Sequence, residues 1–264
     1  MISAELWKAA NNQDQLIQEE RDEQKDKRKL KDCKPGKNRE RYLQHVAPGR
    51  PYGCGAKPGQ FLSLYTRDGS KLLPRPISIC EIDRENGRIR LVYRVTGKNT
   101  GTEAFSRLHA GVPVEVLGPL GNGFPLHEAE GKRVFLMGGG IGIPPMLQTA
   151  KELNGQKTAI LGYRDELFLN DEFQAYADVC VATEDGSAGT KGNVMDAIRE
   201  NALEADVIFA CGPTPMLRAI KAYAEEKNNS MLDFYGRTYG LRRWGLSCLC
   251  VQIKGDRQPF PCTQ

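Results

Sequence analysis

The sequence predicts two folded units in series, an antiparallel β-barrel followed by a doubly wound parallel α/β sheet, between two irregular ends. Short strand-like runs separated by turn residues fill the chain up to about residue 130 and include one helical segment. From Lys132 onward, apolar strands alternate with helical segments, as in a parallel sheet with helices on both faces. Residues 1–55 and 229–264 follow neither pattern.

The composition limits the classes of protein that are possible. The 264 residues carry a formal net charge of +4 and are 40% hydrophobic, which suits ordinary cores and gives no reason to expect nucleic-acid binding. No apolar run approaches the roughly 18 residues of a membrane span, and no signal peptide is evident. Eight cysteines without a secretion signal indicate a reducing cytoplasm. Cys80, Cys180 and Cys211 lie in or beside apolar runs and are interpreted as core residues.

Residues 1–55 are predicted to form a disordered segment ahead of the first unit. Residues 13–41 are almost wholly polar with charges of mixed sign, so a helix here would have no apolar face to bury. Pro35-Gly36, Pro48-Gly49 and Pro51 interrupt any regular element.

Residues 56–130 are predicted to form the barrel. A helix is expected at 102–109, and strands are expected at 61–65, 73–80, 90–95 and from 111 to a glycine-rich loop that ends at 124. Pro74 and Pro76 restrict pairing along one edge of the second strand. Asn86-Gly87 indicates a hairpin before the third strand.

Residues 131–228 are predicted to form the α/β unit. Strands are expected at 134–137, 157–164, 179–183 and 206–213, and helices at 144–153, 170–176, 193–201 and 214–227. Because parallel strands end at the same edge of a sheet, the loops that follow them are expected to lie together, at the edge where dinucleotides bind.

A glycine turn follows the first strand of this unit. Gly138, Gly139, Gly140 and Gly142 lie between an apolar strand and Pro144-Pro145, whose fixed φ suits a helix start. A strand, a glycine turn and a helix N-terminus together present backbone N–H groups to a phosphate. The pattern departs from the usual dinucleotide fingerprint, so a simple tight turn stays an alternative.

A second loop is expected at the same edge of the sheet, after the fourth strand. Gly212 and Pro213 end that strand, and Gly212 would let a nicotinamide ring approach the backbone closely. Cys211 either contacts the ring or fills space. Residues 184–189, after the third strand, are interpreted as the adenosine side. The choice between NAD and NADP stays open, because no acidic residue is clearly placed for a ribose hydroxyl and Arg164 is ambiguous.

Three segments of the predicted barrel outline a site for a flavin dinucleotide. Together they offer contacts for its ring, contacts for its diphosphate and a helix N-terminus. They contain cations and a hydroxyl for phosphate, an aromatic ring for stacking and free N–H groups at a helix start. The residues are Arg75, Pro76, Ile77, Ser78, Val92, Tyr93, Arg94, Gly101 and Thr102. For the first segment alone, an edge strand with a surface arginine is the alternative.

These motifs, in this order, resemble the ferredoxin–NAD(P) reductase superfamily, and more narrowly the electron-transfer subunits of type B dihydroorotate dehydrogenase. The resemblance covers about residues 56–228 and rests on Arg75-Pro-Ile-Ser, Gly101-Thr, Gly118-Pro-Leu-Gly-Asn-Gly-Phe, Gly138-Gly-Gly-Ile-Gly-Ile-Pro-Pro-Met and Cys211-Gly-Pro-Thr-Pro-Met. It implies FAD on the barrel, NAD on the α/β unit and a C-terminal [2Fe–2S] cluster. It also implies an FMN-containing catalytic partner in a cytoplasmic heterotetramer with two copies of each chain.

The resemblance implies an oxidoreductase subunit of pyrimidine biosynthesis. Electrons from the oxidation of dihydroorotate would pass from FMN through [2Fe–2S] and FAD to NAD⁺. No catalytic residue is singled out, because the cofactors carry the chemistry. Two alternatives stay open. One is the flavin subunit of another NAD(P)H:ferredoxin or sulfite reductase-type enzyme, and the other is a non-catalytic remnant that binds a partner.

The ends of the chain depart from the family's pattern. The plant-type cluster motif is C-x4-C-x2-C with a further cysteine, but Cys248 and Cys250 are separated by one residue and only Cys262 follows. The tail is therefore not expected to hold a metal. With suitable codons, a one-base shift over residues 234–251 gives C-x4-C-x2-C, and the same shift over 41–54 gives an apolar strand. We hypothesise that both ends are out of frame; the alternative is a lineage with an altered tail.

Overall fold

The computed structural model describes residues 55–66, 68–109 and 112–227 with their side chains, and the backbone alone of strands at 28–29, 31–32, 42–48 and 246–252. The described residues form one antiparallel sheet and one mainly parallel sheet. This confirms the predicted fold class of an all-β unit followed by an α/β unit.

The first sheet contains seven described strands and is antiparallel throughout. The strands are β1 (Arg28–Lys29), β2 (Lys31–Asp32), β3 (Tyr42–Pro48), β4 (Phe61–Tyr65), β5 (Arg75–Asp83), β6 (Arg88–Arg94) and β7 (Pro113–Leu120). Helix α1 (Gly101–Ser106) connects β6 to β7. The strands pair in the order β1-β7-β4-β5-β6-β3-β2, and among the described strands no pairing closes this order into a barrel.

Strand β3 lies in the segment for which the sequence predicts disorder. It pairs with β6 along its whole length, from Tyr42 opposite Arg94 to Pro48 opposite Arg88. The prediction is wrong for these residues, because pairing satisfies backbone N–H and C=O groups whatever the side chains are. Apart from β1, β2 and β3, residues 1–54 lie outside the described part of the chain, and their predicted disorder stays a prediction.

The core of the first sheet is built by alternate residues of its strands. Ile89, Leu91 and Tyr93 of β6 are buried on one face with Ile79 of β5. Phe105 of α1 covers this face and meets Tyr93 edge to face, with ring centroids 6.4 Å apart. Helix α1 is thereby held beside the last residues of β6.

The second sheet is parallel except at one edge. Its strands are β8 (Val134–Gly139), β9 (Lys157–Tyr163), β10 (Asp178–Thr183), β11 (Thr190–Lys191), β12 (Val207–Pro213) and β13 (Leu246–Gln252). They pair in the order β11-β10-β9-β8-β12-β13, with β13 antiparallel to β12. The sequence does not predict β11 or β13. The rest of the C-terminal segment lies outside the described residues.

Helices cover both faces of this sheet, as the alternation of the sequence predicts. They are α2 (Pro144–Glu152), α3 (Asn170–Gln174), α4 (Val194–Glu200) and α5 (Thr214–Lys227). One apolar cluster contains residues of α2 and α3, and a second contains residues of α4 and α5. Alternate residues of β8 divide between the two, Leu136 in the first and Phe135 with Met137 in the second.

The α2 cluster continues into the first sheet. Cys80 of β5 and Val92 of β6 belong to the same group of buried residues as Leu136 and Leu147. The two sheets therefore share one apolar core, and α2 lies between them. No helix within the described ranges is both long and apolar enough to cross a membrane.

Candidate functional site

A cavity of about 350 Å³ is lined by residues of both sheets. Eleven of its lining residues are ones that the sequence predicts as cofactor-binding: Arg75, Pro76, Ile77, Ser78, Val92, Tyr93, Arg94, Thr102, Gly139, Gly140 and Pro213. Thr96 and Ile141 also line it and are not among the predicted residues. Thr96 lies outside the motifs, and Ile141 lies inside the glycine turn, where only the glycines were predicted to bind. The structure thus brings the predicted flavin and nicotinamide segments to one space.

One wall of the cavity is the start of β5. Arg75 donates from Nη1 to the carbonyl oxygen of Leu73 at 2.5 Å, and its side chain crosses the N-terminus of α1. A Cβ atom on Gly101 would lie 2.7 Å from Arg75 Nε. Gly101 does not line the cavity, but its missing side chain makes room for the arginine that does.

The end of β6 forms the adjoining wall. Val92 and Tyr93 are buried, and Arg94 is exposed at the mouth. Tyr93 and Arg94 are neighbours on one strand, so their side chains lie on opposite faces. Arg94 and Arg75 are the charged residues among the cavity's described lining, so the site favours an anion such as a diphosphate.

Three threonine hydroxyls meet where β6 leads into α1. Thr102 Oγ1 accepts from the Thr96 backbone N–H at 3.1 Å and lies 3.0 Å from Thr96 Oγ1 and 3.1 Å from Thr100 Oγ1. Thr100 caps α1 by accepting from the Glu103 N–H at 3.2 Å. This cluster fixes Thr102 and Thr96 against the cavity.

The glycine turn after β8 forms the opposite side. Gly140 has a φ of +52°, and an added Cβ would meet nothing within 4 Å, so its backbone faces open space. An added Cβ on Gly139 would lie 2.5 Å from Met216 Sδ. Gly139 therefore lets α5 pack against the turn while its own backbone lines the cavity.

The other glycines of the two loops serve close packing. A Cβ on Gly142 would lie 2.1 Å from the Cys211 carbonyl oxygen, and one on Gly138 would lie 2.8 Å from Ile143 Cα. An added Cβ on Gly212 would lie 2.5 Å from Met216 Cε. Cys211 is fully buried and is not among the residues that line the cavity.

The loop at 184–189 forms a hydrogen-bonded turn at the carboxyl edge of β10. Asp185 accepts from the Ser187 backbone N–H at 3.0 Å and from its hydroxyl at 2.7 Å. These donors lower the pKa of Asp185 below its ordinary value. The loop does not line the described cavity, so its predicted role beside adenosine stays a prediction.

Comparisons with known proteins bear on what this cavity binds. The chain is 44% identical over 188 residues to the "Dihydroorotate dehydrogenase B (NAD(+)), electron transfer subunit" of Bacillus caldolyticus, and the match covers 69% of this chain and 72% of that one. The chain belongs to this family of electron transfer subunits. Membership confirms the resemblance that the motifs indicate. No protein-family model matches the chain.

Solved structures confirm the fold of this family member. It superposes on an NADH-dependent reduced ferredoxin-NADP oxidoreductase with a TM-score of 0.61 and 27% identity, over 75% of this chain and 72% of that one. A ferredoxin NADP⁺ reductase from Neisseria gonorrhoeae, solved with bound FAD and NADP, gives a TM-score of 0.54 at 18% identity over 66% and 75%. The second likeness concerns the fold alone.

The cysteine spacing of the C-terminal tail departs from the motif of the [2Fe–2S] cluster that the resemblance implies. Cys248 and Cys250 both lie on β13 with one residue between them, and Cys262 lies outside the described residues. Such a cluster takes four thiolates. Within the described ranges, no group of three or more His, Cys, Asp and Glu residues is placed to hold a metal.

Proposed function

We propose that this chain is the electron transfer subunit of an NAD-dependent dihydroorotate dehydrogenase, and that its cavity is where FAD and NAD(H) meet. One observation carries the proposal. A single cavity is lined by Arg75–Ser78 and 92–94 from the first sheet and by Gly139, Gly140 and Pro213 from the second. Hydride transfer requires the two reacting rings to lie roughly 3–3.5 Å apart, so a site for it must combine both halves.

The first sheet supplies the flavin half. Arg75 and Arg94 would pair with the diphosphate, and the Ser78 hydroxyl and the β5 backbone would hold the edge of the ring. Thr102 at the start of α1 would hold the phosphate or ribose side. When bound, FAD supplies hydride exchange with a nicotinamide and electron exchange with a partner. The protein contributes binding, orientation and the exclusion of water.

The second sheet supplies the nicotinamide half. Gly139 and Gly140 leave no side chain between the backbone and the cavity, so a ring can lie flat on the turn. The N-terminus of α2 follows directly, and Pro144 at its first turn has no N–H that would otherwise go unpaired. Pro213 closes this half from the end of β12.

The family supports a catalytic partner. The relatives are named electron transfer subunits, and we propose that the partner of this chain is an FMN-containing catalytic subunit that oxidises dihydroorotate in the cytoplasm, in a heterotetramer with two copies of each chain. The expected result is that a tagged FMN-containing catalytic subunit captures the full chain at equal stoichiometry. The likeness to the NADH-dependent ferredoxin reductase favours the second candidate function. Failure of capture together with NADH-dependent reduction of ferredoxin by the FAD-loaded chain would establish that second function instead.

The mismatch between the tail and the family's cluster motif supports the hypothesis of shifted reading frames. We propose that residues upstream of about 55 and downstream of about 229 are read one base out of frame. The nucleotide sequence decides this, because only certain codons permit C-x4-C-x2-C in the shifted frame. A purified chain of the printed sequence with a [2Fe–2S] absorption spectrum would contradict the proposal.

A further inference from the structure

Polar contacts join the first sheet to helices α2 and α3 through residues that do not line the cavity. Strand β5 has Arg75–Ser78 in the cavity and Glu81 and Ile82 at these contacts. Helix α2 begins beside the glycine turn and carries Gln148 and Lys151 to the same contacts. Both elements therefore run from the cavity to the interface.

Gln148 is the buried centre of one chain of contacts. Gln148 is 2% exposed, and its Oε1 accepts from the Ile82 backbone N–H at 2.7 Å. Its Nε2 donates to Glu152 Oε1 at 2.6 Å, which pairs with Arg84 Nη1 at 2.7 Å. The pairing of β5 with β6 shifts register just before Ile82, between Ile79 and Glu81. Gln148 thus holds the backbone of β5 directly after an irregularity in its own sheet.

Arg90 is the centre of the second chain. It donates from Nη1 and Nη2 to the two carboxylate oxygens of Glu172, at 2.5 and 2.8 Å, and from Nη1 to Glu81 at 3.2 Å. Lys151 also donates to Glu81, at 2.5 Å. Burial alone would lower the pKa of Arg90, but the carboxylates outweigh it and the pKa is raised. The guanidinium is therefore charged, and it links β6 to α3.

Such contacts are better suited to fixing geometry than to adding stability. Removing a charged pair from water costs much of what its attraction returns, whereas a two-point arginine–carboxylate pair fixes both distance and orientation. Arg90 lies two residues before Val92 on β6, on the same face of the strand. Displacement of Arg90 would therefore move the end of β6, which lines the cavity, relative to the glycine turn.

We propose that Gln148 and Arg90 are positioning residues, which set the spacing between the β5–β6 wall of the cavity and the glycine turn and so control the rate of hydride transfer. Neither residue lines the cavity. The proposal rests on the proposed function, because the rate concerns FAD and NADH bound in this cavity. The spacing itself can be tested without cofactors.

The test compares Gln148→Met and Arg90→Met in the full chain with two matched controls. Thr149→Val removes a buried hydrogen bond that stays within α2, from Thr149 Oγ1 to the Pro145 carbonyl at 3.0 Å. Arg133→Met removes a guanidinium paired with Asp206, at 3.1 and 3.3 Å, and with Glu204, at 3.3 Å, between the segments that lead into β8 and β12. Neither control loses an interaction that crosses the interface, and the Arg133 side chain is 39% exposed against 13% for Arg90.

Two sets of measurements are made on each variant. The first is the rate constant for flavin reduction at saturating NADH, together with FAD affinity and the charge-transfer absorbance of the flavin–nicotinamide pair. We expect Gln148→Met and Arg90→Met to lower the rate about tenfold or more and to weaken that absorbance, with little change in FAD affinity. The second, without cofactors, is amide hydrogen exchange over residues 138–142. Exchange should accelerate in these two variants and stay unchanged in the controls.

Rescue variants guard against simple misfolding. Gln148→Glu with Glu152→Gln keeps both hydrogen bonds of residue 148 but moves the carboxylate away from Arg84. Arg90→Lys keeps the charge without the two-point pair. We expect each of these variants to recover part of the rate, because each restores part of the contact. Wild-type rate and exchange in Gln148→Met and Arg90→Met, or equal losses in the controls, would overturn the proposal. If NADH does not reduce flavin in the wild type, the proposed function fails, and hydrogen exchange alone decides the spacing.

Discussion

The glycines near the cavity have two different roles that the sequence cannot separate. Gly139 and Gly140 line the cavity, whereas Gly138 and Gly142 allow backbone to pack against Ile143 and Cys211. All four stand in one motif, and spacing alone predicts that the turn exists. Which glycine faces the ligand depends on contacts with β12 and α5, which are more than 60 residues away in the sequence.

Substitution of Gly142 by alanine tests the packing role. The new Cβ would lie 2.1 Å from the Cys211 carbonyl oxygen, so β12 and the turn must separate. We expect a loss of about 1–3 kcal/mol in the free energy of unfolding and weaker NADH binding. Gly69→Ala is the control, because its Cβ meets nothing within 4 Å. Equal denaturation midpoints for the two variants would refute this role.

Substitution of Arg75 by alanine tests the proposed contact between this residue and the diphosphate of FAD. Loss of a charged hydrogen-bond donor to a diphosphate costs about 1.5–3 kcal/mol, which is about tenfold or more in FAD affinity. Arg107→Ala is the control, since its side chain is 75% exposed and pairs with Glu103, four residues before it. Flavin fluorescence titration measures both. Unchanged affinity in Arg75→Ala would remove this residue from the site.

Local patterns predict most elements of the second sheet, but not its edges. Helix α5 has the predicted bounds, and α4 is one residue shorter at each end than the predicted 193–201, because Asn193 and Asn201 cap it. The sequence misses β11 and β13, which are edge strands whose pairing partners determine them. In the first sheet, β3 is missed for the same reason: its partner β6 lies about 45 residues further along the chain.

The Asn193 cap gives a prediction about α4 alone. Asn193 accepts from the Met195 N–H at 2.8 Å, and Asp196 accepts from the Asn193 N–H at 2.9 Å, which is a capping box. We expect Asn193→Ala to lower the free energy of unfolding by about 1 kcal/mol and to leave FAD affinity unchanged. Urea denaturation measures the first effect. A loss of flavin binding in this variant would show that α4 contributes to the site after all.

The contact between β5 and α2 predicts a dependence on pH. Burial would raise the pKa of Glu81, but hydrogen bonds from Lys151 and Arg90 outweigh it, and the pKa lies below its ordinary 4.5. A lowered carboxylate pKa stabilises the fold above the unfolded pKa, and this stabilisation is lost as pH falls through the folded pKa. Glu81→Gln should therefore be less stable than the wild type at neutral pH. The difference in denaturation midpoint should shrink well below pH 4.5, and a constant difference would contradict the assignment.

At the scale of the whole molecule, the cavity forms because the two sheets are joined. The sequence predicts a flavin segment and a nicotinamide segment separately, because each has a local motif. Their meeting in one cavity depends on the apolar core shared through Cys80 and Val92 and on the contacts of Gln148 and Arg90. None of these four residues belongs to a motif that relates one sheet to the other, so the cavity itself could not be predicted.

The most direct test is anaerobic addition of NADH to the full chain loaded with FAD. The proposed function predicts that the visible absorbance of the flavin bleaches in the wild type, and that it bleaches more slowly in Gly142→Ala, in which the glycine turn is displaced. A chain that binds FAD in the cavity, as judged by weaker binding in Arg75→Ala, but whose flavin is not reduced by NADH would contradict the claim that the two cofactors meet there.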